Sequence, residues 1–395
     1  MHLPTLLAAV HRGDDPVVFE FIDQATPDQL AGDDAVALLA AAAYAGRHEV
    51  VDRLVVYGVD VTRPWDGGVD PVVWAAERGR YGVLMALLAG SRDPLAAGSP
   101  QRLALRAALD AVDEGLGAGD EPPPAHWAIV TELEAALGLR RSPDQLLVRA
   151  LVHADPTHDD WFAALLQLGL RADRETFDWA RALVEDGRSP ARRRFGLDTV
   201  NFLGFGLGPE DEDEDELPFA RDAADLLRPM LKGEEDPYAL GTVIAAFARY
   251  CRPEENRAVL VHAGHPDPHV RRRVAGNLGL REAGGVAEDP EVLDTLVGLA
   301  ADPDPQVRAA VLHTFTWSPV DTPGLRAALA AQLTHPHLEA RIAAAAGLAL
   351  RGDGRGRVVL EEIRADPAHR RTLGPGGLGD LHHVLRSAEA AAGLV

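Results

Sequence analysis

Three glycines, Gly13, Gly46 and Gly79, stand 33 residues apart, each in the same surroundings. Small apolar pairs precede them: Ala8-Ala9, Ala42-Ala43 and Ala75-Ala76. Branched apolar residues follow: Val17-Val18 with Phe21-Ile22, Val50-Val51 with Leu54-Val55, and Val83-Leu84 with Leu87-Leu88. A fixed period of this length marks stacked units, each burying its apolar face only against its neighbours. The residue types give the local geometry. Alanines let one helix press close to the next, glycine ends that helix at a positive φ, and the following helix carries a branched apolar stripe. A chain built this way is expected to offer a binding surface rather than a reaction vessel.

The middle copy is the most complete. Its Ala42-Ala43, Gly46, Glu49-Val50-Val51, Leu54-Val55 and Gly58-Val59-Asp60-Val61 resemble the helix–turn–helix–hairpin unit of ankyrin repeats. The third copy opens with Asp70-Pro71-Val72-Val73, where that family usually has Thr-Pro-Leu-His. The resemblance covers residues 1–95, with the first copy, which lacks the hairpin signature, as a cap. Beyond it the period fades, and residues 96–186 read as a diverged helical connector. Helices are expected at Arg102–Val112, Trp127–Leu137, Pro143–Val152, Trp161–Leu168 and Arg174–Val184, with a loop through Pro122-Pro123-Pro124. Val112 stands where a fourth glycine would fall. The connector therefore begins either as a degenerate ankyrin-like pair with an insertion or as separate helices.

A second repeat lies further on. His265-Pro266-Asp267-Pro268-His269-Val270-Arg271 is echoed by Asp302-Pro303-Asp304-Pro305-Gln306-Val307-Arg308, and more weakly by His335-Pro336-His337-Leu338-Glu339-Ala340-Arg341. Proline after aspartate suits a helix's first turn, where the missing N–H costs nothing and the carboxylate caps the dipole. Ser189-Pro190 and Asp236-Pro237 read as earlier starts of the same kind. This pattern resembles HEAT repeats of the short bacterial type and spans residues 187–352. Within it, 209–217 holds seven consecutive acids, Glu210 to Glu216, expected as an exposed mobile loop. Residues 353–395 read as a C-terminal helical cap, with a joint at Gly374–Gly379 and a last helix at Leu381–Ala392. The fold expected is all-α: an α-solenoid of ankyrin-like helix pairs followed by HEAT-like pairs.

Charge narrows the partner. Acidic residues number 61 against 39 basic ones, a formal net charge of −22. That balance disfavours nucleic acid and anionic membrane and suits a protein partner, basic by preference. No apolar run approaches the ~18–20 residues that span a bilayer, and the N-terminus lacks a leader pattern, so a cytoplasmic location is expected. Cys251 is alone, which excludes an internal disulfide and a cysteine-based zinc site.

Chemistry-bearing motifs are sparse. His262, His265 and His269 have ligand-like spacing, but His265 and His269 straddle two prolines in a turn and share no helical face, so no metal site is read from them. HEAT-type hydroxylases carry repeated His-Glu pairs, whereas His48-Glu49 is the single such pair here. HEAT-like alkylpurine glycosylases need a basic face for duplex DNA, which the net charge opposes. No enzyme activity, catalytic residue, cofactor or metal is therefore expected. The repeated Arg271, Arg308 and Arg341 read as rungs of a stacking ladder, with Asp267 and Asp304 as acceptors. Arg192, Arg193, Arg272 and Arg273 exceed that need and are candidate partner contacts. So are Trp65, at a hairpin tip with no evident core to fill, and Tyr44, at the end of a first helix. The expected function is a bacterial adaptor or scaffold. An immunity protein that neutralises a basic toxin is the alternative, and a nucleic-acid-modifying enzyme such as a glycosylase is a more distant one.

Overall fold

The computed structural model describes residues 2–65, 67–89, 99–113, 125–186, 189–205, 219–251, 253–278, 289–316, 318, 320–366, 369 and 384–386. The acidic run and the Gly374–Gly379 joint lie outside these, as does all of the expected last helix except 384–386, which is helical. The chain is an all-α solenoid; among the described residues the only β pairing is an isolated bridge between Trp65 and Val69. It divides into two compact units, Met1–Arg171 with Arg188–Phe195, and Ala172–Gly187 with Gly196–Val395.

The first unit contains α1 (Leu3–Arg12), α2 (Asp15–Gln24), α3 (Pro27–Leu30), α4 (Asp33–Tyr44), α5 (His48–Val56), α6 (Pro71–Glu77) and α7 (Tyr81–Leu88). It continues through α8 (Pro100–Asp113), α9 (His126–Ala136), α10 (Pro143–Ala150) and α11 (Asp159–Gly169). The periodic glycines follow the ends of α1, α4 and α6 at φ 75°, 68° and 60°. One bond recurs across each end: the N–H groups of Asp14, Arg47 and Arg80 donate to the carbonyls of Ala9, Ala42 and Ala75 at 2.9, 2.9 and 3.0 Å. This wrap satisfies a carbonyl that the helix leaves orphaned. Ala9, Ala42, Ala43, Ala75 and Ala76 are fully buried, as close helix packing requires. Val112 stays inside α8, and the glycine device returns at Gly138 (φ 76°), where Leu139 donates back to Glu134.

Arginines tie successive copies together: Arg47 to Asp15 at 3.1 Å, Arg53 to Asp23 at 2.6 Å, and Arg63 to Asp33. In the connector, the buried Glu134 takes both Arg141 and Arg149, and Arg149 also donates to Thr131 and lies over the Trp127 ring. Burial raises the Glu134 carboxyl, but the two guanidinium groups prevail and hold it below the usual range.

The second unit contains α12 (Arg174–Asp186), most of α13 (Pro190–Leu203), α14 (Ala220–Gly233), α15 (Pro237–Tyr250), a 3-10 segment (Pro253–His262), α16 (Pro268–Asn277) and α17 (Pro290–Leu299). It ends with α18 (Pro305–Thr316), α19 (Pro323–Ala331), α20 (Leu338–Leu350) and α21 (Gly354–Ala365). Helices α15, α16, α18 and α20 pack in succession, with α14, the 3-10 segment, α17 and α19 against them. Proline opens α13, α15, α16, α17, α18 and α19. Asp236, Asp267, Asp289 and Asp304 cap the helices they precede, each accepting a backbone N–H at 2.8–3.0 Å.

That capping changes the ladder. Asp267 and Asp304 are helix caps, not its acceptors; the acceptor stands two residues earlier. Arg271 makes a two-pronged bond to Asp302, 2.8 Å at each prong, and also holds the carbonyls of His265 and Pro266. Arg308 repeats this on the carbonyls of Asp302 and Pro303, and its outward contact is His335 Nε2. Arg341 meets His369 Nε2 at 2.8 Å. Asp302 holds its turn as well, its Oδ1 accepting the Asp304 N–H at 2.8 Å, so the rung is set by which carboxylate stands beside Arg271 and not by which is unengaged.

Candidate functional site

Trp65 has a core to fill, contrary to the sequence expectation. Gly67 and Gly68, at φ 83° and 79°, turn the chain, and the bridge to Val69 folds the tip back. The indole is 3 % exposed and packs edge-on against Tyr44 and Trp74, at centroid distances of 5.2 and 5.4 Å. Tyr44 and Trp74 are themselves 4.9 Å apart. Rings at such spacing touch one another and leave no room between them for a cation or a peptide side chain. Tyr44 is 48 % exposed and is the one ring of the three that offers area to solvent.

The candidate arginines fall in two places. Arg192 and Arg193 lie half-buried near the start of α13, in the first unit. Arg272 and Arg273 lie half-buried on α16, in the second. There they join a polar cluster that the sequence pattern left unread. The buried Asp198 on α13 accepts the Tyr238 hydroxyl at 2.8 Å and the Thr242 hydroxyl at 3.0 Å, both from α15. Tyr238 stacks on His269, 5.5 Å between centroids and 16° between planes. His269 Nδ1 faces Arg272 at 3.4 Å.

Gly241 makes this possible. A Cβ there would stand 2.5 Å from His269 Nε2 and 3.0 Å from Arg273 Cγ, so only a bare backbone lets those side chains lie across α15. Burial, then the charges of Arg273 and Arg272, hold His269 below the usual histidine value and favour the neutral ring. Burial pushes the Tyr238 phenol up, and the Asp198 charge adds to it. Burial also lowers Arg273, and the charge of Arg272 works in the same direction. Arg273 Nε and His269 Nε2 are buried without a hydrogen-bond partner. Both atoms are sealed against α15, Asp198 is committed to two hydroxyls, and the half-buried Arg272 is left at the edge of the cluster. That arrangement suits docking of a carboxylate or carbonyl better than proton transfer.

The other singled-out residues have separate local roles. His262 Nε2 contacts the Leu231 carbonyl at 2.7 Å, and His265 Nδ1 accepts the Asp267 N–H. Cys251 is buried, which pushes its thiol up to about 12. A further group, His153, His158 and Asp160, converges in the first unit. Its spacing, two histidines flanking a turn with an aspartate two residues on, was the available signal, but it falls between helices, where periodicity does not reach. No helix among the described residues is long and apolar enough to cross a membrane.

The family model for HEAT repeats matches residues 224–316. The X-ray structure of YibA from Escherichia coli is similar at 18 % identity, covering 65 % of this chain and 93 % of that one, with a TM-score of 0.45. No curated protein matches the chain. The matched segment runs from α14 through α18 and contains the capped helices, the Arg271–Asp302 rung and the Arg272–Arg273 patch. Residues 224–316 are thus similar to HEAT repeats, within an all-α solenoid.

Proposed function

We propose that the protein is a non-catalytic scaffold or adaptor that binds a protein partner, with Arg272, Arg273, His269 and Tyr238 as one contact patch. The observation that carries this reading is the half-buried Arg272, on a helix whose stacking role is already filled by Arg271 and beside the His269–Tyr238 stack. A pre-formed helical face loses little conformational entropy on docking. The net charge of −22 brings a basic partner in quickly, and the arginine patch then fixes its register through an acidic or carbonyl group. The same charge supports a second reading, in which the chain is an immunity protein masking the basic site of a toxin.

The test compares purified full-length wild type with Arg272→Glu as bait in the native host's extract, read by quantitative mass spectrometry. Each enriched partner is then measured directly with purified components across a salt series. Loss of at least about tenfold in affinity for one partner, with an unchanged melting temperature, supports the patch. Equal affinity in both baits removes it. A partner that is a nuclease, inhibited on binding, decides for the immunity reading.

A further inference from the structure

We propose that His153, His158 and Asp160 form a binding site for a divalent zinc-class ion that fastens the α10–α11 turn to the start of α9. The three side chains offer ligand atoms all within 4.8 Å of one another. His153 Nδ1 lies 3.0 Å and His158 Nδ1 3.7 Å from the same oxygen, Asp160 Oδ2. With metal–ligand bonds of about 2.0–2.2 Å, the edges of a zinc tetrahedron are about 3.3 Å, and the two distances bracket that value. The imidazoles stack 3.8 Å apart and 24° from parallel, so one ring has to turn for both in-plane lone pairs to meet at one ion.

The carboxylate is already oriented. Asp160 is 1 % exposed, and its other oxygen, Oδ1, accepts the Ala128 N–H at 2.6 Å. An outer hydrogen bond of this kind fixes a ligating carboxylate and leaves its second oxygen for the metal. Burial pushes the Asp160 carboxyl up, against the pull of the Ala128 amide and the two imidazoles.

Three costs oppose binding. His158 Nδ1 accepts the Asp160 N–H at 3.1 Å and must exchange it, and the proton on His153 Nδ1 must leave. The positive ends of α9 and α11 also face the site. Against these stand Asp155, Asp159 and Asp160, three carboxylates within eight residues of His153. Asp155 is held low first by its Thr157 hydrogen bonds and then by both imidazoles, so its charge is felt at the site. Three protein ligands leave a further position for water. The site's role in a binding protein is to lock a junction between helix pairs.

The experiment uses tag-free full-length protein, stripped with a chelator and titrated with Co2+ alone. The expected result is the visible absorption of four-coordinate cobalt, saturating at about one equivalent and bleached by Zn2+. His158→Asn retains a good helix-capping acceptor, and Asp160→Asn retains the acceptor for Ala128, so both variants are expected to fold. Each should lose at least about tenfold in affinity and lose the rise in melting temperature that Zn2+ gives the wild type. The absence of a saturable band, or a band that survives in both variants, overturns the site and leaves the cluster as a hydrogen-bonded cap.

Discussion

The two units lean on different local signals, although each holds an example of the other's: Asp70 caps α6 ahead of Pro71 in the first, and Gly352, at φ 71°, follows α20 in the second. In the first, helices are specified where they stop: glycine at positive φ, followed by a returning backbone bond, recurs at Gly13, Gly46 and Gly79. In the second, they are specified where they start, by proline behind a capping aspartate at Asp236, Asp267, Asp289 and Asp304. The ties between copies differ too. Arg47–Asp15 and Arg63–Asp33 are solvent-accessible, whereas Arg271–Asp302 is mostly buried, at 13 % and 6 % side-chain exposure. Exposed ion pairs contribute little to stability. The periodic copies of the first unit therefore rest on apolar packing, with that unit's buried ion pair kept to Glu134 and Arg149, whereas the second unit places a buried rung between its repeats, and its loss is costly.

The sharpest test of that contrast is Trp65→Ala. It empties a buried aromatic cluster and is expected to cost the first unit about 3–5 kcal/mol in denaturant unfolding. An unchanged midpoint would return Trp65 to the surface and undo the packing argument.

Next in size is Asp302→Ala, which strands Arg271 in a largely buried position. The expected loss is about 3 kcal/mol, against well under 1 kcal/mol for Asp33→Ala at the exposed rung. The rung also sets a pH dependence. The Arg271 guanidinium holds the Asp302 carboxyl below the usual carboxylate range, outweighing the effect of burial. Its contribution is complete above the unfolded carboxylate value and is lost as pH falls through the depressed folded one. Asp302→Asn should flatten that acid limb of the stability curve.

The smallest effects form a matched pair. Gly46→Ala meets no atom within 4 Å, so its cost is purely that of the positive φ, about 1–2 kcal/mol. Asp304→Ala removes one cap and should cost about 1 kcal/mol. If Gly46→Ala is silent while Asp304→Ala is not, stop signals do not set the first unit's register.

Much of this architecture is legible in one dimension because the signals are local. The helices expected at Arg102–Val112, Trp127–Leu137 and Arg174–Val184 correspond to α8, α9 and α12, displaced by one or two residues at most ends. Apolar periodicity, proline and glycine act within a turn or two, so they survive reading without neighbours. The site was less legible. Arg272 and Arg273 were found as a surplus over the ladder, but nothing local announced Asp198, 40 residues before Tyr238, or the bare backbone of Gly241 beneath His269.

The sequence alone determined that this protein is a stack of helix pairs, where most of those helices begin and end, and that it carries a strong negative charge. Only the tertiary structure decided which side chains are spent on the stack itself. Trp65 looks free until the Gly67-Gly68 turn folds it against Tyr44 and Trp74. Asp304 looks like a ladder acceptor, but it caps α18, and Asp302, two residues earlier, is the carboxylate that stands beside Arg271. A capping bond spans two or three residues and is written in the chain. A packing contact or an ion pair between repeats spans about thirty, and its partner is chosen by how closely the helices approach.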